Sequence, residues 1–125
     1  MVKKFLHIGC GPLYKENTTP AFNSDDWDEI RLDIDPTHNP DIICSMSDMS
    51  IIEDNSFDAI YSSHNIEHVF PHEVFGTLQE FRRVLKDDGF LILTCPDIKS
   101  VCALIGEGNI GKKLYTSSAG DIFPL

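Results

Sequence analysis

Two glycines and one aspartate have the spacing of a site for a nucleotide-type cofactor. Gly9 and Gly11 directly follow the apolar run Phe5–Ile8, and Asp33 lies at the end of a second apolar run. Glycines at a strand exit let the main chain turn sharply and approach a ligand, and an acidic side chain on the neighbouring strand can accept hydrogen bonds from both ribose hydroxyls. The spacing and the strand context are more specific than a glycine motif alone.

The composition predicts a single domain, residues 1–125. Apolar residues make up 42% of the 125 residues, which is enough for a core. The net charge is −10 and the ten Lys and Arg residues are scattered, so a nucleic-acid backbone would be repelled. No stretch approaches the roughly 18 apolar residues of a membrane span, and the amino terminus lacks a signal-peptide pattern. We therefore expect neither nucleic acid nor membrane as a partner.

The cysteines indicate a reducing compartment. Cys10, Cys44, Cys95 and Cys102 are widely separated, and three of them lie in or beside apolar runs. This distribution suits reduced, buried thiols better than a disulfide framework or a metal knuckle. A cytoplasmic location is the expectation.

Five apolar runs separated by polar turns predict five strands. They are Phe5–Ile8, Ile30–Ile34, Asp41–Cys44, Phe57–Ser62 and Phe90–Cys95. The last run is apolar on both faces, as in a strand covered by helices on both sides. It is therefore predicted to be central in the sheet.

Helices are predicted between and after these strands. Apolar residues recur at helical spacing between the fourth and fifth runs, at Val74, Leu78, Phe81 and Leu85. Pro71 suits the first turn of this helix, and the Asp-Asp-Gly segment 87–89 is expected to end it. A second helix is predicted over Ile98–Ile105, whereas the polar segment Tyr14–Trp27 contains a proline and reads as a loop or a broken helix.

Strands that alternate with helices predict an α/β fold with a Rossmann-like, doubly wound, mostly parallel sheet of about five strands. Ligands bind such sheets beyond the carboxyl ends of the strands. The glycines and Asp33 both lie at such ends. The cofactor site is therefore expected at one edge of the sheet.

Five motifs in order carry a resemblance to a known family. They are His7–Pro12, Leu32–Pro36, Asp54–Asp58, Glu67–Val69 and Arg83–Lys86. With this order and spacing, the chain resembles class I S-adenosylmethionine-dependent methyltransferases of the methyltransferase-11 type over roughly residues 5–97. The family fold normally continues beyond the end of this chain, so the resemblance implies a sheet that lacks the usual last two strands.

The resemblance assigns residues of the first two motifs to the cofactor. Gly9, Cys10 and Gly11 would line its methionine part, Asp33 would hold the ribose, and Ile34 would pack against the adenine. Elementary chemistry agrees, because a carboxylate binds a diol with both oxygens and a branched apolar side chain covers a flat ring.

Two later segments complete the implied site. Met46, Ser47 and Asp48 would meet the adenine edge. Asp48 is the first candidate to accept a hydrogen bond from the exocyclic amine, and Ser47 or a main-chain group is the alternative. The resemblance places Ser62, Ser63, His64 and Asn65 between the methionine end of the cofactor and the methyl acceptor. We expect these residues to contact both ligands.

The chain departs from the family pattern at two places. His7 stands where many members have Asp or Glu, a carboxylate that orients the glycine loop or receives the cofactor's amino group, and a neutral imidazole only partly substitutes for it. Leu13 and Tyr14 stand where a third glycine often lies. A nicotinamide dinucleotide usually needs that glycine and a helix start for its pyrophosphate, so the second departure argues against NAD.

The implied activity is methyl transfer from S-adenosylmethionine to a small-molecule, glycan or protein acceptor. The reaction is a direct displacement, in which positioning supplies much of the acceleration. If the acceptor must lose a proton, His64 is the nearest titratable group and the candidate catalytic residue. An exposed sheet edge or the apolar carboxyl terminus suggests a homodimer.

Two other functions are weighed against methyl transfer. The chain could bind S-adenosylmethionine or S-adenosylhomocysteine without catalysis, as an interaction module. It could also be a zinc hydrolase, because His64, Glu67 and His68 fit the H-x-x-E-H pattern. Pro71 interrupts any helix that would bring in His72 as a further ligand, and the methyltransferase resemblance already accounts for residues 67–69, so no metal is predicted.

Overall fold

A computed structural model describes residues 2–97, 103, 115–117 and 120–122. The chain forms two compact units, Met1–Cys95 and Pro96–Leu125. In the second unit, strands Tyr115–Ser117 and Gly120–Ile122 pair in antiparallel fashion. The first unit contains the sheet and the candidate site. The expectation of a single domain stays a prediction.

The first unit is built on a five-stranded parallel sheet. Its strands are β1 (Lys3–Ile8), β2 (Trp27–Asp33), β3 (Ile42–Ile43), β4 (Phe57–Ser63) and β5 (Leu85–Thr94). The spatial order is β3-β2-β1-β4-β5, and every neighbouring pair is parallel. The chain moves outward in one direction from β1 to β3 and in the other from β4 to β5. This order confirms the predicted fold class and places the topological switch point between β1 and β4.

The boundary between the helix and the fifth strand differs from the prediction. Helix α1 (Val74–Val84) ends where β5 begins, so the segment 87–89 lies inside the strand and does not end the helix. Leu85 is buried and pairs with Phe57, and an irregularity in the register between Phe57 and Ala59 accommodates the additional β5 residues. Sheet pairing therefore overrides the helical spacing at Leu85.

Two further helix predictions can be placed. Pro71 begins a 3-10 turn, Pro71–Glu73, that leads directly into α1. The second predicted helix, Ile98–Ile105, lies outside the described residues except for Ala103, which is helical.

In the described sheet, β5 is an edge strand with β4 as its neighbour. The prediction of a central position is wrong for this sheet. Phe90 and Leu91 on β5 are 45% and 37% exposed. The apolar pattern reports side chains suited to cover on both faces, but it does not determine strand order.

Helix α1 covers one face of the sheet with an aliphatic core. Leu6, Ile8, Leu32 and Ile60 from the strands are buried against Phe81 and Val84 of α1, together with Met49 and Ile52. Leu6 and Ile8 are two residues apart on β1, as the period of a strand requires for side chains on one face. Helix α1 thereby shields this face of the sheet from water.

The segment between β1 and β2 covers the other face. It contains a 3-10 turn at Lys15–Asn17, which agrees with the predicted loop or broken helix. Phe22 from this segment is fully buried, stacks on Phe5 at 4.2 Å between ring centroids, and meets Trp27 edge-on at 4.8 Å. Within the described residues, no helix is long and apolar enough to cross a bilayer.

Candidate functional site

The glycine turn lies at the carboxyl end of β1, beside the switch point. Gly9 and Gly11 have φ angles of +62° and +52°, in the left-handed region that glycine adopts without penalty. The Cys10 amide donates to the Leu32 carbonyl at 3.1 Å, and the Gly11 amide donates to Asp33 Oδ2 at 2.7 Å. The turn is therefore fastened to the end of β2.

Cys10 contributes a buried thiol to this turn. Burial raises the pKa of Cys10 to about 11, so the thiol stays protonated at neutral pH. A protonated thiol is a weak nucleophile. Because the Cys10 side chain is buried in the protein, the main chain of the turn is the part suited to contact a ligand.

Asp33 combines a structural contact with spare acceptor capacity. Its Oδ2 accepts from the Gly11 amide, and its Oδ1 accepts from the Asp35 amide at 2.9 Å. A carboxylate offers about four acceptor positions, so about two remain for a ribose diol. Ile34 follows directly and is 69% exposed, which leaves its branched side chain available to cover a ring.

The segment after β3 forms its own local turns. Met46 packs against the aliphatic core, and the Ser47 hydroxyl lies 2.8 Å from that of Ser45. Asp48 is exposed, and hydrogen bonds from Ser50 lower the pKa of its carboxyl group. Within residues 2–97, neither Ser47 nor Asp48 hydrogen-bonds to the glycine turn.

The segment after β4 holds His64 in a conformation that is unusual for its residue type. Its φ is +57°, and its amide donates to the Thr94 carbonyl at 2.8 Å. The neighbouring Ser63 hydroxyl accepts from the Thr94 hydroxyl at 2.7 Å. Non-glycine residues in the left-handed region are uncommon and cluster at functional sites. His64 Nδ1 lies 3.9 Å from Glu67 Oε1.

The zinc-hydrolase pattern does not form the helix that it requires. Ile66–His68 is a single 3-10 turn, and His64 precedes it in the left-handed conformation. His64 and His68 therefore do not share one face of an α-helix, although both imidazoles approach Glu67, at 3.9 Å and 3.8 Å. Among the described residues, no group of three or more His, Cys, Asp or Glu side chains is placed to hold a metal ion.

His7 lies in the interior, below the glycine turn. It is 3% exposed, and its Nδ1 is 2.7 Å from Glu29 Oε2 on the neighbouring strand. Burial lowers the pKa of His7, and the hydrogen bond with Glu29 opposes that shift. A carboxylate thus reaches this region from β2 instead of from position 7. Sequence reasoning missed Glu29, and the available signal was its place on β2, close to the β1 residue that breaks the family pattern.

Arg31 is a second residue that sequence reasoning missed. It is 4% exposed, and its guanidinium lies over the Tyr14 ring with Cζ 4.2 Å from the centroid. The guanidinium donates to carbonyls of two loops, those of Gly11, Leu13, His38 and Asn39. Arg31 therefore ties the glycine turn to the loop after β2. The available signal was a charged residue inside the apolar run that ends at Asp33.

Comparison with known proteins identifies one family to which the chain is similar. The family model described as a methyltransferase domain, of the methyltransferase-11 type, matches residues 6–93. No curated protein shows significant sequence similarity to the chain.

Two solved structures share the fold. One is the PH0226 protein from Pyrococcus horikoshii OT3, with a TM-score of 0.65 and 21% identity over 92% of this chain and 58% of that one. The other is an S-adenosylmethionine-dependent methyltransferase from Archaeoglobus fulgidus, with a TM-score of 0.66 and 20% identity over 83% of this chain and 49% of that one. The chain thus spans about half the length of these structures. With most of its residues matched by the family model, the chain belongs to the class I S-adenosylmethionine-dependent methyltransferase family.

Proposed function

We propose that this protein binds S-adenosylmethionine at the carboxyl edge of the sheet and transfers its methyl group to an acceptor. The observation that carries the proposal is the fastening of the left-handed glycine turn to Asp33, beside the point where the strand order reverses. A turn of this kind lets main chain approach a ligand closely, and the carboxylate beside it can take hydroxyl hydrogen bonds.

The residues present fit the proposed cofactor. Asp33 retains acceptor positions for the ribose hydroxyls, and exposed Ile34 is available for the adenine face. Met46, Ser47 and Asp48 are the candidates for the adenine edge. When bound, S-adenosylmethionine supplies an electrophilic methyl group on a sulfonium centre. The protein then has to align the acceptor and exclude water.

For the acceptor we propose a small molecule, a glycan or a protein. The net charge of −10 supports this choice over nucleic acid, whose phosphates would be repelled over most of the surface. His64 is the proposed base for the acceptor proton. Its side chain is about one-third exposed, so a substrate can reach it, and its Nδ1 lies 3.9 Å from Glu67 Oε1.

A second candidate function is cofactor binding without transfer. The contacts that support the proposed site, those of the glycine turn and Asp33, concern the cofactor and not an acceptor.

Formation of S-adenosylhomocysteine distinguishes the two functions. The chain would be incubated with S-adenosylmethionine and separate small-molecule, oligosaccharide, protein and nucleic-acid fractions of a cell extract. We expect product with one of the first three fractions and none with nucleic acid. His64→Gln should lower that turnover by about 10²- to 10⁴-fold while cofactor binding persists, and His72→Gln, at a highly exposed histidine, serves as the control.

Cofactor binding with no turnover in any fraction would instead favour the second function. Full turnover by His64→Gln would remove the proposed base while leaving methyl transfer intact.

A further inference from the structure

The side chain of Asn65 fills the space beside the glycine turn. Its Nδ2 donates to the Ile8 carbonyl at 2.8 Å and to the Ser62 hydroxyl at 3.3 Å. A Cβ added at Gly9 would overlap the Asn65 amide. The segment after β4 is therefore packed directly onto the end of β1.

This contact changes the explanation of Gly9. The sequence suggests that Gly9 lacks a side chain so that a cofactor can approach its main chain. In the structure, the volume that a side chain would take at Gly9 is filled by the protein's own amide. The left-handed φ of +62° is a second constraint on the same residue. Two constraints therefore favour glycine at position 9, namely the packing of the Asn65 side chain and the left-handed backbone conformation of the turn.

The two hydrogen bonds also explain why the residue at 65 is an asparagine. The Ile8 carbonyl lies at the end of β1, and the amide nitrogen of Asn65 donates a hydrogen bond to it. An aspartate has the same shape, but its carboxylate would face a carbonyl oxygen and could not donate. An alanine would leave the space empty and the carbonyl without this donor.

We infer that Asn65 is a positioning residue that holds the glycine turn and couples it to the segment that carries His64. This inference rests on the proposed function, because the turn is where the cofactor's methionine part is expected. Asn65 joins the cofactor side of the site to the acceptor side through two hydrogen bonds and one packing contact.

The first test compares the affinity for S-adenosylhomocysteine of wild type and Asn65→Asp by calorimetry. At pH 8 we expect binding at least tenfold weaker for the variant. Protonation restores a donor, so the affinity relative to wild type should rise as the pH falls toward 5, since a facing carbonyl raises the pKa of a carboxyl group. Asn23→Asp is the matched control, at an exposed asparagine of the loop after β1.

The ratio of the variant's affinity to that of wild type reports the titration of the introduced carboxyl group, because the other titratable groups are the same in both proteins. The titratable groups on the same segment, His64 and Glu67, and those at the turn, Cys10 and Asp33, are present in both proteins. An affinity equal to that of wild type at pH 8 in a folded variant would overturn the inference. A weakening that does not change with pH would overturn it as well.

The second test needs no cofactor. Melting temperatures are compared for Gly9→Ala, Asn65→Ala and the double variant. Gly9→Ala should lower the melting temperature less in the Asn65→Ala background, where the overlap is relieved, than in wild type. Additive losses would contradict the packing that the inference requires. If wild type binds no S-adenosylhomocysteine, the proposed function and the cofactor role of Asn65 both fail, whereas a non-additive cycle would still support the coupling of the two segments.

Discussion

The two faces of the sheet bury different kinds of side chain. Under α1 the buried groups are mainly aliphatic, together with Phe57 and Phe81. Under the loop after β1 they are aromatic rings and the polar groups His7, Glu29 and Arg31. A helix satisfies its own main-chain hydrogen bonds, whereas an irregular loop needs side chains to do so. Arg31 meets that need by donating to the carbonyls of Gly11 and Leu13.

The two faces of the sheet differ in what they contribute to the protein. The face under α1 holds the sheet together. The loop face also fixes the conformation of the glycine turn, because Arg31 and Asp33 both contact Gly11. Changes on the loop face should therefore affect ligand affinity as well as folding, whereas changes at Phe81 and Val84 of α1 should affect folding alone.

The largest effect is expected for the aromatic anchor of each face. Phe22→Ala and Phe81→Ala each remove a fully buried ring, and each should lower the free energy of unfolding by about 3–5 kcal/mol. Only Phe22→Ala should also weaken S-adenosylhomocysteine binding. Urea denaturation and calorimetry measure the two effects, and the Phe→Leu variants provide a milder pair if the alanine variants do not fold. Equal effects on affinity at both positions would contradict the claim that only the loop face influences ligand binding.

A somewhat smaller loss is expected at Arg31. Arg31→Lys should lower the free energy of unfolding by about 2–3 kcal/mol, because an ammonium group cannot reach carbonyls of two loops and stack on Tyr14 together. Thermal denaturation measures the loss. Arg82→Lys on the exposed surface of α1 is the control and should be nearly neutral. A neutral Arg31→Lys variant would show that the loop carbonyls find other donors.

The effect on affinity is expected to be largest at Asp33 among single carboxylates. Asp33→Ala should weaken S-adenosylhomocysteine binding by about 1–3 kcal/mol, since charge-assisted hydrogen bonds are removed. Asp28→Ala, an exposed residue of the same strand, is the matched control for calorimetry. Unchanged affinity in a folded Asp33→Ala protein would exclude Asp33 from the site.

The smallest effect concerns acid stability on the α1 side. Hydrogen bonds from Arg83 lower the pKa of Glu80 below its usual 4.5. The stabilisation that Glu80 provides is therefore complete above about pH 4.5 and is lost as the pH falls through the lower folded pKa. The difference in melting temperature between wild type and Glu80→Gln should shrink over that range. A difference that stays constant would contradict the ion pair, and Glu53→Gln, at an exposed glutamate, is the control.

The positions of strands could be predicted from the sequence where a run of residues is buried in the sheet. The runs that became β1 and β4 contain buried residues over most of their length, and their carboxyl ends were placed within one residue. The end of α1 was not predictable, because Leu85 fits both the helical spacing and a buried strand position. Only its pairing with Phe57 decides between them.

The candidate site was predictable in its main-chain turn but not in its supports. Glycine spacing and Asp33 are visible as a local pattern with a known purpose. Glu29, Arg31 and Asn65 act through contacts with residues on other elements, and no spacing along the chain reports such contacts. The resemblance named Asn65 as a residue between the two ligands, but its contacts with Ile8 and Gly9, like the contacts of Glu29 and Arg31, depend on the register of β1 with β2 and β4.

The most direct test of the account is a calorimetric titration of the purified, metal-free chain with S-adenosylhomocysteine, with NAD and zinc as separate controls. The account predicts binding of S-adenosylhomocysteine at one site per chain and no binding of NAD or zinc. A folded chain that binds no S-adenosylhomocysteine, or that binds NAD or zinc instead, would contradict it.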